Sequence, residues 1–354
     1  MLLDLAARRA RDRFVPDGEA AMNMRDTQLP PVVSVVVPTY RRPDLLERCL
    51  DALCVQVFDP TTYEIIVVDD DPAGSARPVV DACRARMTDV PAIRYLSAPD
   101  TQGPAGARNV GWRSARGALI AFTDDDTIPD PTWLRHGAAA LLAEPSAAAA
   151  AGRIEVPLRP RPTDYERDAA GLAHAEFATA NCFVRRAALE RVGGFDERFT
   201  RAWREDADLM FALREHAGPI VDVEDARIVH PVRPARWGAS IGQQSKVYFD
   251  ALLYKKHRTT YRRHIRPVPP WHYYGAVFAA LAAIVCFVAR WNAAGAVFAG
   301  IWAAITAWFC CKRLRGTALT PSHVAEMIVT SIAIPPVSLY WRIRGALHFR
   351  VFFL

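Results

Sequence analysis

Three consecutive aspartates, Asp124, Asp125 and Asp126, close the apolar run GALIAFT, and a second trio, Asp69, Asp70 and Asp71, closes EIIVV. A third acidic group, Glu205, Asp206 and Asp208, lies in WREDADL, and His230 follows Ile228 and Val229 in IVHPV. Two like charges about 4 Å apart repel by about 4 kcal/mol at an effective dielectric near 20, so clustered carboxylates call for a cation or for protonation. Hard divalent cations take oxygen ligands, and magnesium in particular is held by one or two carboxylates together with substrate phosphates. A carboxylate set apart from such clusters suits another task, taking a proton from a poor nucleophile within hydrogen-bond reach. The pattern points to cation-assisted chemistry on a phosphate-bearing substrate. The bland alternative is that the aspartates are turn residues and helix caps ahead of Pro72 and Pro129.

The elements that carry these groups alternate in type. Val32–Pro38 and Glu64–Val68 are short β-branched runs of the kind buried on both faces of a sheet, and Ala92–Leu96 and Ala118–Thr123 read as further strands. Between them, Pro43–Gln56 carries leucines at 45, 46, 50 and 53, a helical spacing with proline suited to the first turn, and Ala105–Arg116 reads as a second helix. Strand, helix, strand, helix predicts an α/β domain with a mostly parallel central sheet covered on both sides. Ligands of such sheets bind beyond the carboxyl ends of the strands. Both aspartate trios sit at those ends, so they should share one edge.

These segments, taken in order, resemble the family 2 glycosyltransferases of the GT-A fold. The likeness runs through SVVVPTYRRPDLLERCLDAL, EIIVVDDDP, GPAGARNVGWRSARGALIAFTDDDTIPDPTWL, ANCFVRRAALERVGGFDERF and REDADLMFALRE, from about Val32 to His230. It implies an inverting enzyme that uses a nucleoside diphosphate sugar as donor and Mg²⁺ or Mn²⁺ as cofactor. It also assigns roles. Pro38, Thr39, Tyr40, Asp69 and Asp70 match the family's contacts to base and ribose, and Gly103, Arg108 and Asn109 lie where similar segments approach the nucleotide. Asp124, Asp125 and Asp126 stand at the Asp-x-Asp signature, with Asp124 and Asp125 facing the donor and Asp124, Asp126 and His230 on the metal. Because all three are aspartate, the sequence leaves open which of them meets the ion. Asp206 matches the catalytic base. Glu205, Phe195, Asp196 and Trp203 fall on the acceptor side. Trp237, Gln243 and Gln244 depart from the Gln-x-x-Arg-Trp of the family's processive synthases, which points to transfer of one sugar.

The remainder of the chain is of a different character. Trp271–Ala289 and Ala293–Cys311 are each 19 residues without a formal charge, long enough as helices to span roughly 28 Å against a hydrocarbon core of about 30 Å. Arg290, Trp291 and Asn292 between them predict a tight turn. Basic residues gather before the pair (Lys255, Lys256, Arg258, Arg262, Arg263, Arg266) and after it (Lys312, Arg313, Arg315), which orients a transmembrane hairpin with both flanks in the cytoplasm of an inner (plasma) membrane. A third apolar run, Val324–Trp341, holds Glu326, Pro335 and Pro336 and reads as interfacial or re-entrant. The expected organisation is 1–30 disordered or amphipathic, 31–235 catalytic, 236–270 basic juxtamembrane, 271–311 hairpin and 312–354 loop, interfacial segment and tail. Seven scattered cysteines without a Cys-x-x-Cys pair exclude zinc ribbons and disulfide frameworks. The net charge of +6 has no basic stripe interleaved with aromatics, so nucleic acid is excluded as a partner. The expected acceptor is lipid-linked or a glycan, in cell-envelope polysaccharide or glycolipid synthesis. The alternatives are transfer to a polyprenyl phosphate and a catalytically silent membrane scaffold.

Overall fold

A computed structural model describes residues 30–86, 90–98 and 103–353. The expectation for residues 1–30 falls almost wholly outside them. One eight-stranded sheet runs in the order β3-β2-β1-β4-β7-β6-β8-β5, formed by β1 (Val33–Thr39), β2 (Tyr63–Asp69), β3 (Ala92–Ser97), β4 (Leu119–Thr123), β5 (Ile128–Pro129), β6 (Ala149–Glu155), β7 (Asn181–Arg185) and β8 (Ile220–Val229). The first four neighbours are parallel. Beyond β4 the sheet is mixed, with β7 antiparallel to both β4 and β6 and with β6 parallel to β8.

Every residue of β1, β2 and β4 is buried, which accounts for their unbroken β-branched and apolar sequences. Alternation divides them between two cores. Val35 and Val37 join Leu46, Leu50 and Leu53 of α1 (Pro43–Cys54), Val80 of α2 (Arg77–Arg86) and Trp133 of α4 (Trp133–Ala143) on one face. On the other, Val36, Ile66 and Phe122 pack with Trp112 of α3 (Pro104–Ser114), Leu189 of α6 (Arg186–Val192) and Leu209 of α7 (Glu205–His216). Each fully buried side chain of this kind contributes about 1.5–3 kcal/mol. A short helix α5 (Asp164–Ala169) follows β6 and opens on a capping box made by Thr163 and Glu166.

The basic juxtamembrane segment expected at 236–270, read as helical, is built of helices that also reach into the core. Residues 236–270 fold into α8 (Ala239–Gln243), α9 (Val247–Lys256) and α10 (Arg258–His264). Phe249, Leu252, Leu253, Tyr254 and Tyr261 lie in the same core as α7. Their apolar side chains fill the core of the sheet domain, which the basic residues around them conceal in the sequence.

Three helices are long and apolar enough to cross a membrane, by length and composition: α11 (Trp271–Val288), α12 (Asn292–Leu314) and α13 (Pro321–His348). The first two pack as the expected hairpin, with Arg290 in a left-handed conformation at the turn, φ 61°. Phe278, Ile284, Val288, Val297 and Ile301 project outward. α13 is one unbroken helix of 28 residues despite Pro335 and Pro336. It lies along the catalytic body, where near its start Glu326 accepts from the Gly238 amide at 2.7 Å and at its far end the Phe349 carbonyl accepts from Lys255 Nζ at 2.8 Å.

Candidate active site

The β4 end explains how three adjacent aspartates part company. Asp125 turns inward, 2% exposed, and accepts from the Thr39 hydroxyl at 2.8 Å and from Arg42 Nη1 at 3.0 Å. Burial pushes its carboxyl up to about 6 even so. Asp124 and Asp126 face the other way. Together with His230 they bring one ligand atom each within 4.8 Å of one another. His230 Nε2 stands 3.5 Å from Asp126 Oδ1. Arg233 Nε lies 3.0 Å from Asp126 Oδ2, an ion pair by distance, yet that buried oxygen has no aligned hydrogen bond. Two carboxylates and an imidazole form a donor set that fits Mg²⁺ or Mn²⁺.

Arg108 connects this group to the third acidic cluster. It is 2% exposed, donates from Nη2 to Asp124 Oδ1 at 2.7 Å and from Nη1 to Glu205 Oε1 at 3.1 Å. Glu205 and Asp206 open α7 after Arg204, whose φ of 77° sets the sharp entry. Burial, then the neighbouring Asp206 charge, push Glu205 up to about 7. Burial also raises Asp206, opposed by the Ala207 amide and by Arg204 and Arg108. Asp206 Oδ1 accepts from Ala207 N at 2.7 Å, and its other oxygen takes no hydrogen bond from a described residue. Asp208 is differently placed, held by Lys256 at 2.6 Å and His257 at 3.1 Å. Glu205 Oε2 also lacks a hydrogen bond but is buried, so of the three acids that begin α7 it is the half-buried Asp206 whose unpaired oxygen is open to the cleft side.

The β2 end is more closed than the sequence suggests. Asp69 is fully buried and spends both oxygens on the amides of Asp71 and Ala76 and on the Tyr95 hydroxyl, which orders the following loop. Asp70 accepts from the Gly103 amide at 2.9 Å. Gly103 adopts φ +84°, and a Cβ there would stand 2.3 Å from the Thr200 carbonyl oxygen, so only glycine fits. Pro38 is buried and Tyr40, 46% exposed, lies open at the β1 end with Arg41 over its ring.

Three of the expected site residues have contacts already made within the fold. Asn109 is completely buried, donating to the Phe195 carbonyl and Glu197 and accepting from Trp112 and the Phe195 amide, so it does not face the cleft. Phe195 packs edge-on against Phe122 at 5.3 Å in the core. Asp196 is held by Arg198 and Lys256, which keep its carboxyl well below the usual range against the burial that opposes them. Trp203, in contrast, borders the α7 entry and donates to Asp250 Oδ1 at 3.0 Å, while Arg204 Nε reaches the same oxygen at 2.7 Å. The roles of Arg42, Arg233 and Asp250 had no sequence motif to announce them. The stretch 151–180, which carries no readable pattern, borders a cavity of about 560 Å³ that includes Glu155, His174 and Glu176.

Parallel strands ending in carboxylates, the two-aspartate and histidine donor set and the Glu-Asp helix start define a GT-A-type α/β domain. A model for glycosyl transferase family 2 matches residues 34–199. The chain belongs to glycosyl transferase family group 2, whose model matches residues 119–311, more than half of it. It is 34% identical over 107 residues to glycosyltransferase AglE of Haloferax volcanii, covering 30% of this chain and 34% of that protein. It is 29% identical over 227 residues to the validoxylamine A glucosyltransferase of Streptomyces hygroscopicus subsp. limoneus, covering 54% and 49%. The chain thus spans about half or less of the length of these relatives. Among solved structures, the mannosyltransferase PcManGT of Pyrobaculum calidifontis, in complex with GDP-Man and Mn²⁺, matches over 96% of this chain and 94% of that one. The TM-score is 0.55 and the identity 20%, a likeness of fold.

Proposed function

We propose that the protein is a membrane-associated inverting glycosyltransferase. In this reading it moves a single sugar from a nucleoside diphosphate donor to a lipid-linked acceptor at the cytoplasmic face of the plasma membrane, in cell-envelope polysaccharide or glycolipid synthesis. The observation that carries the reading is Arg108, one buried guanidinium that bridges the Asp124 carboxylate and Glu205, the neighbour of Asp206. The donor diphosphate would lie against Asp124, Asp126 and His230, with Tyr40 and Asp70 on the nucleoside side. A divalent cation held by those three residues supplies Lewis-acid neutralisation of the charge that develops on the departing diphosphate.

Asp206 would take the proton from the acceptor hydroxyl as that oxygen attacks the anomeric carbon from the face opposite the leaving group, inverting the centre. Asp208 is committed to Lys256 and His257, which leaves Asp206 for this task. A lipid-linked acceptor is supported by the outward apolar faces of α11 and α12, and by the placement of α13 along the same body that carries α7. Both ends of α13 meet the catalytic body, which supports an interfacial course for it over a spanning one. Single transfer is supported by the departure of Trp237, Gln243 and Gln244 from the Gln-x-x-Arg-Trp pattern of processive synthases. The mannosyltransferase with GDP-Man and Mn²⁺ and the glucosyltransferase relative support nucleotide-sugar chemistry without selecting the sugar.

The test is donor hydrolysis and transfer by the purified full chain with Mn²⁺ over a panel of nucleotide sugars. Asp206→Asn should lower turnover by about 10²–10⁴-fold. Full activity in that variant would sink the base assignment, and turnover retained on a polyprenyl phosphate alone would select that anionic acceptor.

A further inference from the structure

Two cysteines far apart in the sequence meet in the fold. Cys54 is the last residue of α1 and Cys83 lies near the end of α2, and their sulfurs stand 3.8 Å apart, in hydrogen-bond contact. Cys54 is half-buried, next to the exposed Val55 where the chain leaves the helix, and Cys83 is 1% exposed. The neighbouring contacts keep the two helices side by side. Arg86, one turn after Cys83, reaches Glu47 at 2.9 Å and Asp51 at 2.5 Å on α1. The Tyr63 hydroxyl, at the start of β2, donates to the Leu53 carbonyl at 2.8 Å. β2 runs seven residues from Tyr63 to Asp69, about 20 Å, so the sulfur pair lies at the sheet edge remote from the aspartates. The Cys54 S–H, donating to Cys83, holds the Cys83 thiol below its ordinary value against burial, and the Arg86 charge assists while Asp51 opposes. The pair therefore loses its first proton more readily than a lone buried thiol would.

We propose that Cys54 and Cys83 are a modification site, a dithiol that a hydroperoxide converts to a reversible disulfide joining α1 to α2. Cys54, the less buried sulfur, attacks the peroxide as its thiolate: an S–O bond forms, the O–O bond breaks, and the departing hydroxide takes the proton left on Cys83. The Cys83 thiolate then attacks Cys54 Sγ. The S–S bond forms, the S–O bond breaks, and a second hydroxide leaves, to be protonated by solvent. Two thiols and one hydrogen peroxide become one disulfide and two waters, with two electrons passing from the sulfurs to the peroxide oxygens. Closing from 3.8 Å to a disulfide length of about 2.05 Å needs a shift of less than about 2 Å, and Cys54 at its helix end can supply it. One bridge made on oxidation differs from a disulfide framework, and in a reducing compartment the pair stays as thiols. The bridge would tie together the helices that stand behind two ends of the cleft, since α1 follows Arg42, which holds Asp125, and α2 follows Ala76, whose amide Asp69 holds. It involves no group of the cleft itself and does not rest on the glycosyltransferase reading.

The test treats the full chain, reduced and purified in peroxide-free maltoside micelles, with hydrogen peroxide at pH 7, then blocks remaining thiols in denaturant. Cleavage on the amino side of aspartates places Cys54 in residues 51–58 and Cys83 in residues 81–88, with Cys49 on neither fragment. Mass spectrometry should find the two fragments joined, and dithiothreitol should part them. Separate fragments, whether unaltered or carrying sulfinic acid, would overturn the proposal, as would joining of either one to a different cysteine. Cys83→Ser removes the partner and keeps the size. Peroxide should leave its Cys54 as a sulfenic acid that dimedone captures; a Cys83→Ser protein that takes up no dimedone at Cys54 would overturn the order of attack. The oxidised wild type should unfold about 5 °C above the reduced protein, and Cys54→Ser treated in the same way should show no such rise. An equal rise in Cys54→Ser would assign the effect to other oxidised residues and overturn the bridge as its cause.

Discussion

Arg108 Nη2 lies 2.7 Å from Asp124 Oδ1, and the same guanidinium carries Glu205 on its other arm. Replacing it with methionine strands two acids, one of them 4% exposed, without their counter-charge. Breaking a buried pair in this way costs about 3–5 kcal/mol. Arg108→Met should therefore lower the urea midpoint by that equivalent and abolish transfer, while Arg108→Lys restores part of the stability. Unchanged stability in Arg108→Met would show that the bridge is not held in solution.

The parting of the aspartate trio predicts unlike phenotypes for like substitutions. Asp124→Asn and Asp126→Asn should each weaken Mn²⁺ binding in the presence of a nucleoside diphosphate by at least about tenfold, read by calorimetry, and Asp125→Asn should weaken it much less. Asp125 also has its own pH signature. Its carboxyl is raised from 3.8 to about 6, so the stability that its protonated form contributes is full below pH 3.8 and is lost as pH rises through about 6. Asp125→Asn should lack that loss. Equal metal affinities across the three variants would contradict the geometry.

On the proposal that Asp206 is the base, its ionised form is the working one, and burial raises its pKa. The acid limb of kcat/KM should lie above the ordinary aspartate range and should vanish along with most activity in Asp206→Asn. Glu205 gives a companion effect on stability. Its folded-state value of about 7 exceeds the ordinary 4.5, so its favourable contribution is complete below 4.5 and disappears as pH rises through about 7. Glu205→Gln should then be more stable than the wild type at pH 8 and equal to it at pH 4. A wild-type advantage at pH 8 would reverse the sign and discredit the burial argument.

Asp250 touches no reacting group, yet it fixes Trp203 and Arg204 at the entry to α7. A displacement of about 1 Å at a reacting group can cost about 10²-fold in rate. Asp250→Ala should lower kcat on that order while leaving the donor KM within a factor of a few, and Asp250→Asn, which still accepts from the indole, should recover part of it. A matched rise in donor KM would point to general unfolding of the cleft.

The course of α13 can be read by single-cysteine labelling. Cysteines at Ser322 and Leu347, near opposite ends of the helix, should both react from the side that carries the catalytic body. Reaction of Leu347→Cys from the opposite side would show that the helix crosses.

Strand ends, helices and acidic edge were legible because each rests on local chemistry. The runs EIIVV and LIAFT are buried on both faces, and the aspartates that follow them have one edge to occupy. What was illegible depended on contacts between distant residues. Nothing around Asp125 distinguishes it from its neighbours until Thr39, 86 residues earlier, takes its carboxylate. Asn109 reads as a ligand-facing polar residue in a glycine-rich stretch, and only the return of the chain at Phe195 and Glu197 shows all its hydrogen bonds already made. The residues 236–270 read as a basic juxtamembrane helical segment because charge and helical pattern are visible in a sequence and the burial of Tyr261 and Leu252 is not.

Arg313, at the end of α12, reaches Asp164 of α5, Ser240 of α8 and the Thr330 and Ser331 hydroxyls of α13 with a single guanidinium. A chain cut at Pro270 would leave Asp164 with Arg167 as its one remaining guanidinium among the described residues and would strip Phe353 from Tyr261, although the composition invites the cut there. The anchor is thus an organ of the catalytic body and not a detachable tail. Its helices are not freely exchanged for those of a relative, and an insertion that lengthened the loop before α13 would be felt at α5.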